Sequence, residues 1–447
     1  MEKLSTTTTQ RIPSKKTHIR LREETPFLPI KIMNDDRTVS RATPAGESYL
    51  EVLKAPLFSM RKKSFIIIAA AALLLSCGKP HGQGRATADD LYQQHDSVLA
   101  TASDYSDTIE IKYARGLSVS YEADGIHVII TNPDPAARHS RPDTLVITEP
   151  ARRFICTTAL QLGNFEVLGL EDRIVGMNSL RHLFSPRMRE QMETGQTVKI
   201  GKEGVFDVET IIASHPDYIF VSASKHGGFD VLRDCGIPLV PHHGYKETDP
   251  LGQAEWIKLI GLLTGESRRA NAVFADIESK YLTLREEVAN IDVKCKMENG
   301  KKVMTDLPTV ASGRQLRDGW YIVGGRSYMA QLFRDAGARY IMADNEDSGG
   351  TTLEFEAAYA RSLDADFWQT DGSYAGDFTM ETLAAEDARY TTMKAFRNNN
   401  VIFCNLSQTP YRELAGVQPH LLLADFVKAF HPELLPHYTP HYYKLLK

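Results

Sequence analysis

The residues best suited to chemistry fall in short polar stretches that follow β-rich runs. In order they are Asn178, Ser179, Arg181 and His182; Ser224, Lys225 and His226; His242, His243 and Tyr245; Trp320, Tyr321, Arg326 and Tyr328; the Asp371–Tyr374 turn; and Tyr411 with Arg412. Aromatic rings beside Arg and Lys suit a bulky anionic ligand, because rings cover an apolar body while cations meet its carboxylates or hydroxamates. The histidines open a second chemistry, direct ligation of zinc or iron by His226, His242 and His243. Neighbouring residues of an extended segment point to opposite sides, so His242 and His243 rarely serve one ion. Trp320 and Tyr321 also fit as strand residues that pack inward, and Trp256 and Trp368 read as core. Catalysis finds little support. Gly324-Gly325-Arg326-Ser327 precedes a helical run and can meet an anion there, but it lacks the GxxxxGK[ST] phosphate loop. Neither GxSxG nor HExxH occurs. The expectation is a binding protein without a resident cofactor, not an enzyme.

The elements that must position these residues alternate. Arg153–Thr157, Arg173–Met177, Tyr218–Ser222 and Pro238–Val240 read as strands, separated by helical runs at Leu160–Leu168, Val208–Ser214 and Val231–Cys235. That rhythm implies crossovers, hence an α/β lobe. A helical region then runs from Asp249, an N-cap followed by Pro250, to about Ile291, with Gly265 a point where it can divide. Trp256, Leu259, Ile260 and Leu263, and later Val273, Phe274, Ile277 and Tyr281, hold helical spacing. The strand–helix rhythm resumes over Val303–Leu307, Trp320–Val323, Tyr328–Ala336, Tyr340–Met342, Phe355–Arg361, Asp366–Thr370, Thr379–Ala388 and Val401–Cys404. Leu421–Phe430 closes it as a helix.

Upstream, Met60-Arg61-Lys62-Lys63 precedes an unbroken small and apolar run, Ser64–Leu75, which ends Leu74-Leu75-Ser76-Cys77-Gly78. The run is short for a membrane span and right for the apolar part of a secretory signal. Its end looks like a bacterial lipobox, with Cys77 as the lipidated residue. A signal works at a nascent N-terminus, so residues 1–59 need an account. Either translation begins at Met60, the favoured reading, or they form a disordered cytoplasmic tail on an uncleaved anchor. The whole chain carries a net −5, but from Cys77 onward 39 basic face 50 acidic residues, a net of −11. That excess argues against nucleic acid, whose binders carry a basic footprint. Cys156, Cys235, Cys295 and Cys404 form no CxxC pair and suggest neither zinc knuckle nor disulfide scaffold.

The two α/β parts echo each other. Leu162–Gly169 followed by Glu171-Asp172-Arg173-Ile174-Val175 parallels Leu332–Gly337 followed by Ala338-Arg339-Tyr340-Ile341: a helix, a Gly terminator, an Arg, a strand. Phe206-Asp207-Val208-Glu209 leads to Pro216-Asp217-Tyr218, as Leu353-Glu354-Phe355-Glu356 leads to Asp364-Ala365-Asp366. Glu209 and Glu356 thus share a place on the first turn of equivalent helices, where dipole complementarity alone accounts for a carboxylate.

In this order, Gly169-Leu170-Glu171-Asp172-Arg173-Ile174-Val175-Gly176, Val208-Glu209 through Pro216-Asp217-Tyr218-Ile219, Gly324–Met329, Asp335-Ala336-Gly337 and Phe355-Glu356 resemble a known family. It is that of the substrate-binding proteins of ABC importers for ferric siderophores, haem and cobalamin, and the likeness runs from about Arg153 to the C-terminus. The resemblance implies a class III periplasmic-binding fold, two α/β lobes bridged by a long rigid helix with a shallow cleft between them. It also implies that Glu209 and Glu356 pair with arginines of the permease subunits. One axial histidine or tyrosine on haem or cobalamin is a further possibility there. The expected organisation is leader 1–59, signal 60–76, tether 77–103, N-terminal β extension 104–150, N-lobe 151–248, linker helix 249–291 and C-lobe 292–447. The expected product is a monomer, lipid-anchored and periplasmic, with a metal chelate as ligand; the alternatives are a free transition-metal receptor using His and carboxylate ligands and a non-transport interaction lipoprotein. The strands before Arg153 are outside the family pattern.

Overall fold

The computed structural model describes residues 87–93, 98–137, 140–178, 183–202, 204–222, 229–291, 295–298, 301–304, 307–317 and 319–447. The expectations for the leader, the signal and Cys77 lie outside these residues.

Short apolar runs that are buried on both faces build the N-lobe sheet. Its five strands are all parallel, in the order Leu239–Pro241, Tyr218–Val221, Phe154–Cys156, Ile174–Met177 and Val198–Lys199. Helices Ala159–Glu166, Pro186–Thr194, Val208–Ala213 and Asp230–Arg233 cross between them, which parallel pairing requires. The C-lobe repeats the plan with Arg339–Tyr340, Thr309–Ser312, Phe367–Gly372 and Val401–Asn405 in parallel, and Lys444–Leu445 adds an antiparallel edge. The echo in the sequence is physical. Gly169 and Gly337 both take left-handed φ values, 64° and 77°, after their helices, the conformation that ends a helix at least cost in glycine.

The region 249–291 is three helices, not one. Asp249 accepts from the N–H groups of Leu251 and Gly252 at 2.8 and 3.0 Å, starting Pro250–Ala254. Ile257–Thr264 follows and stops at Gly265, φ 75°. Ser267–Ala289 is the long helix. Leu259, Ile260 and Leu263 pack with Phe154 and Phe220 in the N-lobe core, whereas Phe274, Ile277, Tyr281 and Leu284 pack with Phe333 and Phe426 in the C-lobe core. The break at Gly265 therefore separates a helix that packs mainly in the N-lobe core from one that packs mainly in the C-lobe core, while Ile257 and Ala270 reach into the opposite cores.

The N-terminal extension is a three-stranded antiparallel meander, Leu117–Glu122, Gly125–Ile130 and Asp143–Ile147. From its residue types Ile109–Val119 reads as one short strand, but residues 109–116 are not in a sheet and the strand begins at Leu117. Their backbone donors go to a side chain instead. Glu255, fully buried, accepts from the N–H groups of Lys112, Tyr113 and Ala114 at 2.9, 2.7 and 2.9 Å, and from Lys258 Nζ at 2.7 Å. Glu247 accepts from Gly116 N–H and Trp256 Nε1 at 2.9 and 3.2 Å. The extension is thus tied to the helices that join the lobes. Among the described residues, no helix is long and apolar enough to cross a membrane.

Candidate functional site

In open α/β sheets, ligand sites lie beyond the carboxyl ends of the strands, and here those of both lobes converge. Phe154–Cys156 delivers Thr157 and Thr158, Ile174–Met177 delivers Asn178, and Leu239–Pro241 leads through three residues to Tyr245. From the C-lobe, Val401–Asn405 leads to the short helix Tyr411–Leu414, and Tyr328 opens the helix Tyr328–Asp335. Together with Lys202 and Gln253, these residues line a cleft cavity of about 640 Å³, inside the usual range for small-molecule sites.

The N-lobe wall is held rigidly. Gln161 Oε1 accepts from the N–H groups of Thr157 and Thr158 at 2.7 and 3.1 Å, and its Nε2 donates to Ser222 Oγ at 3.0 Å. Thr157 Oγ1 donates to Phe220 O at 2.9 Å, and Asn178 Nδ2 donates to Thr157 O at 2.6 Å. The two lobes also touch beside the cavity. A Cβ on Gly163 would sit 1.8 Å from Glu413 O, so only glycine lets helix Ala159–Glu166 approach helix Tyr411–Leu414. Across that contact, the buried Glu413 carboxylate accepts from the N–H groups of Phe184 and Ser185 at 2.7 and 3.2 Å.

The rest of the lining, from both lobes, is aromatic and cationic. Tyr245, Tyr328 and Tyr411 contribute rings, and Arg412 and Lys202 contribute exposed cations with no hydrogen bond to any described residue. Tyr328 OH donates to Ala415 O at 3.4 Å. Burial pushes the Tyr328 and Tyr411 hydroxyls well above the ordinary phenol range. Both are therefore neutral phenols at physiological pH, suited to stacking and hydrogen bonding more than to binding a metal as phenolate.

Glu166, at the lobe contact, is pushed up to about 7 by burial and by the neighbouring Glu413 and Glu171 carboxylates, and its Oε2 has no partner. Arg187 is engaged elsewhere, with Glu171 at 3.3 Å. A carboxyl whose folded pKa exceeds its unfolded value disfavours the folded state above that folded pKa. The penalty disappears as pH falls toward the unfolded value, near 4.5. Glu166→Gln is therefore expected to raise Tm at pH 8 by roughly 1–3 °C, discounted for partial exposure, and to leave it unchanged at pH 5. Thermal melts at the two pH values check this.

Not every residue singled out in the sequence reaches the cleft. Asn178, Tyr245, Tyr328, Tyr411 and Arg412 do. Trp320 does not: it is fully buried in the C-lobe core, 5.7 Å from the Trp368 ring, with Nε1 donating to Ser312 O at 3.1 Å. Its strand, Gly319–Val323, belongs to a separate antiparallel sheet with Arg314–Leu316 and Gly350–Leu353, so its end does not point to the cleft. Tyr321 alternates to the exposed face of that sheet, and Arg326 is exposed and paired with Glu346. The Gly324-Gly325 turn is filled by the backbone of Met342, Asn345 and Asp347, leaving no room for an anion. His242 is buried against Trp256, ring centroids 4.8 Å apart, and burial lowers it to about 3. It is a neutral core imidazole, away from the cavity. Cys156 and Cys404 are buried free thiols. Ser179, Arg181, His182, Ser224, Lys225 and His226 lie outside the described residues. Sequence reasoning missed Thr158, Lys202 and Gln253; only the position of Thr158 directly after a buried strand signalled it.

Residues 155–406 match the periplasmic binding protein family. The chain belongs to that family. This periplasmic binding protein is 25% identical over 309 residues to an uncharacterized lipoprotein of Methanocaldococcus jannaschii, covering 67% of this chain and 69% of that one. Its fold is similar to a crystal structure of a periplasmic binding protein from Veillonella parvula, with TM-score 0.51 and 12% identity, over 66% of this chain and 96% of that one. A TroA-like periplasmic binding protein from the same organism matches with TM-score 0.50 and 16% identity, over 71% and 99%. The class III fold expected from the sequence is the fold observed. Family membership makes this a binding protein with an extracytoplasmic location.

Proposed function

We propose that the protein is the substrate-binding lipoprotein of an ABC importer, capturing a metal chelate such as a ferric siderophore, haem or cobalamin in the inter-lobe cleft. The observation that carries this reading is the cavity lining of Tyr245, Tyr328 and Tyr411 with the exposed cations Arg412 and Lys202. Rings and cations together fit a bulky chelate with outward carboxylates or phenolates. The lipobox at Cys77 supplies the anchor, and Glu209 and Glu356 supply the permease contact. Each glutamate is the second residue of its helix, Val208–Ala213 and Phe355–Ser362, and Glu356 already lies 3.6 Å from Arg389. Exposed carboxylates so placed set docking register and on-rate.

One uptake experiment in cells tests anchor and docking together. Glu209→Ala with Glu356→Ala is expected to leave ligand binding intact while cutting uptake at least tenfold, and Cys77→Ser to release the protein from the membrane fraction. Full uptake by the double variant would remove the docking role, and a membrane-bound Cys77→Ser protein would remove the anchor.

A further inference from the structure

The chain ahead of residue 155, where the family match begins, is bound to both lobes. Ala88 is fully buried in the C-lobe core. Its N–H donates to Glu287 Oε1 at 2.7 Å, near the C-terminal end of the long helix Ser267–Ala289. Asp89 accepts from His437 N–H at 3.3 Å and lies 2.8 Å from His437 Nδ1. Tyr92 OH donates to His420 O at 2.8 Å, and its ring meets that of Tyr438 edge-on, centroids 5.5 Å apart. Helix Ala88–Gln93 is thus seated on the C-lobe. The 3-10 helix Val98–Asp104 packs along the long helix. Toward the other end of that helix, Asn271 Nδ2 donates to Ser106 O and Thr108 O at 2.9 and 3.0 Å. Tyr113 OH donates to Glu278 Oε1 at 2.7 Å, with its ring 6.0 Å from that of Phe274. Beyond Gly116 the chain enters the N-lobe, where Leu117, Val128 and Ile130 share the core with Leu259 and Leu263.

We propose that this segment, through its seats at residues 88–92 and 98–116, is a second bridge between the lobes that runs beside the long helix and sets the aperture of the cleft. Two domains joined by a linker move relative to each other unless a large apolar interface holds them. Here a change of aperture that shifts the N-lobe along the long helix must break the Asn271 and Tyr113 hydrogen bonds. If those hold, it must instead pull Ala88 and Tyr92 from the C-lobe. A cleft kept near one aperture binds its ligand at lower ordering cost, because its walls are already in place. The bridge lies outside the matched segment, 155–406, so the shared fold does not supply it. It acts with no ligand present, so it stands or falls independently of which ligand the cleft takes.

The test places spin-labelled unnatural residues at Glu193 and Arg397, exposed positions on helices of opposite lobes. It reads the distance distribution between them in the ligand-free full chain. The wild type is expected to give one narrow distribution. Asn271→Ala with Tyr113→Phe cuts the segment from the long helix, and Asp89→Ala with Tyr92→Ala unseats it from the C-lobe. Each pair is expected to shift or broaden the distribution by more than about 2 Å. The first pair removes three hydrogen bonds and no ring, so it keeps the test readable if the second pair fails to fold. Val128→Ala is the control. It leaves a cavity in the core beneath the meander but cuts no bond to the long helix, so the narrow distribution should persist. An unchanged distribution in the first pair overturns the proposal whatever the second pair does, and so does equal broadening in Val128→Ala.

Discussion

Replacing Arg412 with glutamate is expected to weaken binding of an anionic chelate by roughly 100-fold or more, without loss of fold. The size follows from charge. Truncating one partner of a desolvated, hydrogen-bonded charge pair costs about 2–5 kcal/mol, and each 1.4 kcal/mol is tenfold in affinity. Reversal adds repulsion. Arg412 is exposed, but its charge favours the ionised form of the largely buried Asp371 carboxyl beside it, so a modest loss of stability accompanies the change and Arg412→Gln serves as the neutral control. Arg412→Lys keeps the charge but loses the planar fork, so an intermediate loss of roughly tenfold is expected. Calorimetric titration of the wild type and these variants with ferric enterobactin checks the order. Equal affinities would mean that the ligand face lies elsewhere in the cleft.

Replacing Glu255 with alanine is expected to be the most damaging single change to stability outside the apolar cores. Its carboxylate satisfies three consecutive backbone N–H groups of the extension and neutralises Lys258, whose side chain is almost fully buried. Removing one partner of a buried pair costs about 3–5 kcal/mol, because the other charge stays behind without compensation. Lys258 would keep only Glu110 O, at 2.7 Å, and the Phe274 ring beneath it. Glu255→Gln retains acceptors for the backbone but not the charge, so its cost should be smaller. Urea unfolding midpoints for the two variants test this, and limited proteolysis adds a local readout: the segment 109–116 should become the first site of cleavage in Glu255→Ala. An unchanged midpoint would show that the extension is not held through this carboxylate.

That example marks where the sequence ceased to be legible. The α/β alternation could be read because period, caps and glycine stops agree locally: Asp249 before Pro250, Gly169 and Gly337 after their helices, Gly265 between two helices. Residues 109–116 misled because β-branched and aromatic types favour strands, while a carboxylate about 140 residues away decided where their N–H groups went. Trp320 misled for a related reason. The run Trp320–Val323 is a strand, but strand propensity does not tell which sheet a strand joins, and this one pairs antiparallel, away from the cleft edge. Arg412 and Tyr328 were legible as cation and ring in post-strand segments. Thr158 and Lys202 were not, since a lone hydroxyl or lysine is ordinary until the structure shows what it faces.

The paired lobes also give the linker a physical meaning. Helix Ile257–Thr264 packs mainly in the N-lobe core and helix Ser267–Ala289 mainly in the C-lobe core, with left-handed Gly265 between them. A Cβ there would meet Pro150 Cγ at 2.9 Å, so both the backbone conformation and the space favour glycine.

The central claim is that this cleft holds a metal chelate. Its most direct test is calorimetric titration of the purified protein with a panel of ferric siderophores, haem and cobalamin, with Arg412→Glu run in parallel. The account expects saturable one-to-one binding of at least one anionic chelate, lost or strongly weakened in the variant. No saturable binding of any member of the panel would contradict it.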